Sequence, residues 1–267
     1  MEVCYYPGCT LKTRAKNLNL STISALTKLE IKVKELSRWN CCGVVPSLSC
    51  DDLLRLIAPV RNLVRAKEQN CSILLTVCSM CYQTIAMANL IMKEDAEKRD
   101  TINSFMEEEV DYSGEVKVVH LLNFLRDEIG WDKLKSQVKV PLNGLKIAPY
   151  YGCTLIRPKE IGIEPLDNLT LFSDFIKAIG GEPIDFPLST DCCSSYQVVS
   201  NPDIADEVSS KILKSAKEWG ADILISSCPL CEYNLGLRKK ETKELPTLYS
   251  VSYTHLRAHE TSLHLVC

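Results

Sequence analysis

Apolar residues in this chain fall into two kinds of run. Short β-rich stretches, Ile73–Val77 and Ile223–Ile225, each lead directly into a Cys-x-x-Cys motif, Cys78/Cys81 and Cys228/Cys231. After the first motif the spacing turns helical, with Tyr82, Ile85, Ala86, Asn89 and Leu90 recurring at three- and four-residue intervals. The same strand-to-cysteine transition is predicted at Val3–Tyr6 and Leu145–Tyr150. Val116–Val119 reads as a further strand, and Leu121–Ile129 as a closing helix. Strands alternating with helices predict a parallel α/β sheet, whose functional crevice lies beyond the C-terminal strand ends. Each Cys-x-x-Cys would then open a helix, where the positive end of the dipole favours thiolate. Pro229 suits the first helical turn.

Gln69 to Met92 carries no charged residue, a length that invites a membrane reading. Its cysteines, Ser, Gln and Asn read better as a buried strand, a cysteine turn and an amphipathic helix. Lys93 to Tyr112, with the run Glu107-Glu108-Glu109, reads as a solvated stretch between two halves.

Composition narrows the function. With 267 residues and 46% hydrophobic content the chain can bury one large core or two ordinary ones. A net charge of −3, with basic residues scattered, argues against nucleic acid as the main partner. The opening "MEVCYYPGCT" has no basic segment followed by an apolar one, so a cytoplasmic protein is expected. In a reducing compartment 14 cysteines point to metal or redox chemistry rather than structural disulfides.

Most of those cysteines repeat. "YYPGCTL" (5–11) returns as "YYGCTL" (150–155), and "SILLTVCSMC" (72–81) as "DILISSCPLC" (222–231). The first half reads Cys9, 31 residues, Cys41-Cys42, 35 residues, Cys78-x-x-Cys81. The second reads Cys153, 38 residues, Cys192-Cys193, 34 residues, Cys228-x-x-Cys231. Two five-cysteine sets in the same order at nearly the same spacing are a specific signal.

Five thiolates exceed the four a structural zinc site uses, and the four that an ordinary cubane cluster takes. Side-by-side cysteines have Cα atoms about 3.8 Å apart, too close for an easy disulfide. A multi-iron cluster, by contrast, presents neighbouring irons that such a pair can reach.

In these motifs the chain resembles the cysteine-rich CCG domain family, and its tandem arrangement is similar to the B subunit of heterodisulfide reductase. The likeness spans roughly residues 1 to 249. It implies two pseudo-symmetric Rossmann-like domains with parallel sheets, 1–141 and 142–249. It implies a noncubane [4Fe-4S] cluster on Cys9, Cys41, Cys42, Cys78 and Cys81, and a second on Cys153, Cys192, Cys193, Cys228 and Cys231. Between the two clusters a disulfide would be cleaved, that of coenzyme M and coenzyme B or a related one. The alternative is an electron-transfer subunit of another CCG-domain oxidoreductase, with one site holding zinc or neither touching a disulfide. The resemblance also implies two partners, a ferredoxin-like C subunit and a flavin-bearing A subunit. The chain itself has no GxGxxG or P-loop for flavin or nucleotide, so electrons would arrive from such a partner.

Ser194 stands where the first half has Gly43, a departure from the motif. Lys12, Arg14 and Arg157 lie near the first cysteine of each half and are candidates for anionic substrate groups. Cys4, Cys50 and Cys71 have no counterpart across the repeat and read as packed small apolar residues. His120 reads as a buried or capping residue at a strand-to-helix junction. His255, His259, His264 and Cys267 fall in residues 250–267, where no apolar closing helix follows the strand begun in "ELPTLY" (244–249). That tail is read as non-native sequence, leaving the second domain without its last helix.

Overall fold

The computed structural model describes residues 1–43, 51–238 and 245–250. Cys50 and the C-terminal histidines of the tail lie outside them.

In the first half the chain runs β1 (Glu2–Tyr5), α1 (Gly8–Lys12), α2 (Lys16–Lys28), β2 (Lys32–Glu35), α3 (Leu54–Glu68), β3 (Ile73–Thr76), α4 (Ser79–Glu94), α5 (Ala96–Phe105) and β4 (Lys117–His120). Then α6 (Leu121–Phe124) continues as a π-helical turn to Ile129, and α7 (Trp131–Gln137) follows. The second half runs β5 (Lys146–Pro149), α8 (Leu171–Ala178), β6 (Glu182–Pro183), α9 (Pro202–Glu218), β7 (Ile223–Ser226), α10 (Pro229–Glu232) with a π-helical turn to Leu237, and β8 (Thr247–Tyr249).

Each half builds a four-stranded parallel sheet, ordered β2-β1-β3-β4 and β6-β5-β7-β8. The central strands carry the expected apolar runs. Leu74, Leu75, Leu224 and Ile225 have no exposed surface, each contributing about 2 kcal/mol of burial. The outer strands are the ones that hydrophobic pattern misses. β2, Lys-Val-Lys-Glu, leaves three of its four residues exposed, and β6 is two residues long and includes Pro183.

Register corrects the internal alignment. Cys4 pairs with Leu74 and Ala148 with Leu224, so Tyr6 matches Tyr150 and Pro7 matches Tyr151. The repeat runs without a gap through Gly8-Cys9 and Gly152-Cys153.

Two expectations change. Cys4 and Cys71 are not separately packed thiols but a disulfide, with Cα atoms 5.9 Å apart, that ties β1 to the turn before β3. The matching positions in the second half, Ala148 and Ala221, are both buried alanines. The acidic run is not wholly solvated either, since Glu109 pairs with Arg61 at 2.5 Å.

The halves meet closely. Tyr82 donates to the Ile161 carbonyl at 2.8 Å and Gln83 to that of Arg157 at 2.7 Å. Trp131 packs edge-on against Phe175, and α6 lies against α8. Among the described residues no helix is long and apolar enough to cross a membrane.

Candidate metal centre

The parallel strands deliver the cysteines to one place. β3 ends at Thr76, and Cys78, in an extended conformation, is the N-cap of α4. β7 ends at Ser226, and Cys228 caps α10 in the same way, with Pro229 opening the helix. Both Cys-x-x-Cys turns thus sit at helix N-termini as the pattern predicts.

Gly8 precedes Cys9 with φ +70°, and a Cβ there would lie 3.0 Å from Cys81 Sγ. Gly152 repeats this with φ +63° and 3.6 Å to Cys231 Sγ. Both positions need the left-handed backbone that glycine adopts most readily, and at Gly8 a side chain would also crowd the facing thiol.

The cysteine pairs are fixed from behind. Tyr6 donates to the Asn40 carbonyl, just before Cys41, at 2.8 Å, and Tyr150 to the Asp191 carbonyl, just before Cys192, at 2.5 Å. Fully buried Asn62 accepts from the Asn40 N–H and donates to its carbonyl, at 2.9 and 3.0 Å. In the second half Asn234 donates to the Cys193 carbonyl at 2.8 Å. Sequence reasoning passed over these residues, although a tyrosine two places before each Gly-Cys was visible in both halves.

The adjacent thiols turn to different partners. Cys41 Sγ is 3.7 Å from Cys9 Sγ, while Cys42 Sγ is 3.5 Å from Cys81 Sγ. Cys41 also hydrogen-bonds Cys42, and Cys81 bonds Cys78. The second half repeats three of these four contacts: Cys153 hydrogen-bonds Cys192, Cys193 Sγ lies 3.4 Å from Cys231 Sγ, and Cys231 hydrogen-bonds Cys228. Cys78 and Cys228, both buried free thiols, share a proton across the seam where the two sets meet. Beside them Ser79 donates from both N–H and Oγ to the Ser227 carbonyl, at 3.2 and 3.1 Å. Cys9 and Cys41 are exposed, Cys153 and Cys192 half-buried, and Cys78 and Cys228 buried at the seam.

Electrostatics follow this sharing. The hydrogen bond from Cys228, with that from Cys81, holds Cys78 well below the ordinary thiol range. In Cys228 the lowering bond to Cys231 is outweighed by the proton given to Cys78 and by burial, which push it up to about 12. Cys192, receiving a bond from Cys153, is lowered to about 6. Cys153, Cys81 and Cys231 are raised, chiefly because each shares a proton with a neighbouring thiol. A metal centre must displace those protons, since thiolate is the ligand.

Among the described residues no three His, Cys, Asp or Glu side chains converge on one ion position. The thiols form two neighbouring sets instead, five per half, with sulfurs 3.4–3.7 Å apart where they pair. All five donors of each set are soft sulfur ligands, which suit iron–sulfur clusters and zinc. The fifth donor and the diverging pair suit a body larger than one tetrahedral ion.

The basic residues near the site are placed differently. Lys12 is held by Glu35 at 2.6 Å, Arg157 donates to the Thr190 carbonyl at 3.0 Å, and Arg14 is exposed. Ser194 takes up the left-handed conformation of Gly43, φ +58° against +74°, and its N–H lies 3.3 Å from Cys192 Sγ. Tyr196 stands over the second set, its hydroxyl raised to about 12 by burial and the neighbouring thiols.

A cysteine-rich domain model, CCG, matches residues 3–86 and 147–236. The chain is 32% identical over 246 residues to an 8-methylmenaquinol:fumarate reductase membrane anchor subunit of Wolinella succinogenes, covering 91% of this chain and 85% of that protein. It is 31% identical over 262 residues to the B subunit of the ferredoxin/F420H2-dependent CoB-CoM heterodisulfide reductase of Methanosarcina acetivorans, covering 95% and 86%. A crystal structure of a hypothetical protein from Helicobacter pylori shares the fold with TM-score 0.74 at 16% identity, over 96% of this chain and 49% of that one. The two matched segments coincide with the two cysteine sets, and the chain belongs to the CCG cysteine-rich domain family, with the domain present twice in tandem.

Proposed function

We propose that this chain is the iron–sulfur, disulfide-cleaving subunit of a cytoplasmic multi-subunit oxidoreductase. The observation that carries this reading is the meeting of two five-thiol sets at the seam, Cys78 against Cys228. Cys9, Cys41, Cys42, Cys78 and Cys81 would hold one noncubane [4Fe-4S] cluster, and Cys153, Cys192, Cys193, Cys228 and Cys231 the other. When bound, such clusters supply single electrons and an iron that can accept a sulfur ligand.

The chain's own part is positional. Tyr6, Tyr150, Asn62 and Asn234 fix the cysteine pairs, and the buried seam keeps water from the inner thiols. The exposed side at Cys9 and Cys41 leaves the first centre an open edge for a disulfide. Arg14 and Arg157, which follow Cys9 and Cys153 closely in sequence, would serve as cations for an anionic substrate. The likeness to a heterodisulfide reductase component supports a disulfide of that kind, and partner chains, ferredoxin-like and flavin-bearing, as the electron source.

A second reading is an electron-transfer component whose clusters never meet a disulfide. The likeness to a fumarate reductase component favours it. Anaerobic quantitation of iron, sulfide and zinc is the first test, with about eight irons per chain expected for two clusters. Cleavage of a small disulfide by the reduced protein then selects the first reading; iron without cleavage selects the second. Zinc alone refutes both.

A further inference from the structure

His120 is fully buried, at the last position of β4, opposite Thr76 of β3. Its Nδ1 accepts the Leu122 N–H at 3.2 Å, capping α6. That contact assigns the ring's proton to Nε2, which lies 3.2 Å from the Val77 carbonyl and donates to it. Tyr82 meets the ring edge-on at 5.8 Å. Burial keeps the imidazole neutral, its pKa lowered to about 4.

Val77 immediately precedes Cys78. Because the peptide is planar, a bond to the Val77 carbonyl fixes the orientation of the whole Val77–Cys78 link. That link sets where Cys78 Sγ enters the seam. The second half does this otherwise. The register mate of His120 is Tyr249, whose hydroxyl donates to Glu232 at 3.2 Å. The Ser227 carbonyl, which corresponds to that of Val77, is held by Ser79 across the seam.

We propose that His120 is a positioning residue for the first metal centre, holding Cys78 at the seam through the Val77 carbonyl. The inference rests on the cluster reading above and adds a specific determinant to it. The two contacts can be separated, since Asn reproduces an acceptor at the Nδ1 position and Gln a donor at the Nε2 position. His120→Asn keeps the helix cap and loses the Val77 bond; His120→Gln does the reverse.

The test reconstitutes wild type and both variants anaerobically. It reads urea stability, iron content, and the electron paramagnetic resonance spectrum and reduction midpoint of each centre. In His120→Asn one centre should lose its wild-type spectrum and shift its midpoint while the other keeps both. His120→Gln should retain the wild-type spectrum despite its lost cap. A second arm follows alkylation of Cys78 relative to Cys228 by iodoacetamide in metal-free protein. There the Cys78 rate should rise several-fold in His120→Asn and stay at the wild-type value in His120→Gln. Unchanged spectra and alkylation in His120→Asn, or equal changes in both variants tracking stability, would overturn the proposal. A chain that takes up no iron refutes the cluster reading, and the alkylation arm still decides the role of His120.

Discussion

Val77 and Ser227 occupy the same place in the two halves, one residue before the Cys-x-x-Cys turn, and their carbonyls are held from different directions. His120 of the same half holds the first, while Ser79 of the other half holds the second. The contrast extends outward. The first half has Tyr82 and His120 where the second has Glu232 and Tyr249. It has the Cys4–Cys71 bridge where the second has Ala148 and Ala221. It has a 16-residue α4 where α10 with its π-helical turn stops at Leu237. The cysteines recur in the same order at the same strand ends, yet the scaffolds that hold them differ. What the two halves keep in common is the donor set and the glycine and tyrosine that aim it.

Several substitutions would break or sharpen that comparison. The largest effect belongs to the donors: Cys42→Ser and Cys193→Ser should each remove one centre, lowering iron by about half from about eight per chain. An equal loss of all iron from either variant would mean that the sets load as one unit.

Next comes the bridge. Its two cysteines are 67 residues apart, and the chain-entropy account assigns a loop of that length about 4 kcal/mol. Replacing both by alanine copies the second half and should lower unfolding free energy in urea by that order. A change below about 1 kcal/mol would make the bridge incidental.

His120 gives the first half a pH dependence. The unfolded residue takes a proton near 6.5, while the buried one resists until about 4. Between those values the unfolded chain binds more protons, so acid favours unfolding. The contribution, about 3 kcal/mol, is complete above pH 6.5 and lost as pH falls to about 4. Urea titrations across pH 4 to 7 should show this slope in wild type and lack it in His120→Gln.

The smallest effect is at the motif glycine. Ser194 occupies left-handed backbone at a cost of about 1 kcal/mol, so Ser194→Gly should raise stability by up to that amount. Gly43→Ser should cost more, because its Cβ would also come 3.2 Å from the Ala58 methyl. Differential scanning calorimetry of the pair reads both signs.

How much was legible in the sequence follows from range. The buried strands and the helices opening at Cys78 and Cys228 were readable because apolar run, thiol and helical spacing adjoin in sequence. The two sets were readable because each repeats. β2 was not, since Lys32, Lys34 and Glu35 give an edge strand no apolar signature. Neither was the Cys4–Cys71 bond, because pairing at long range is decided by the sheet that brings β1 beside β3. The anchors Asn62, Asn234 and Ser79 act through carbonyls, and a carbonyl leaves no trace in the residue code. His120 was legible as a cap, whereas its reach to Val77 needed the β3–β4 register.

The outer strands matter before any metal arrives. β2 presents Lys32 and Lys34 along its free edge, and β6 offers only two residues, one of them Pro183. Charge blunts the first edge and a missing N–H the second. Newly made chains awaiting their metal therefore present poor templates for strand addition at either edge. That protection against clumping is built into the polypeptide and owes nothing to what the cysteines later hold.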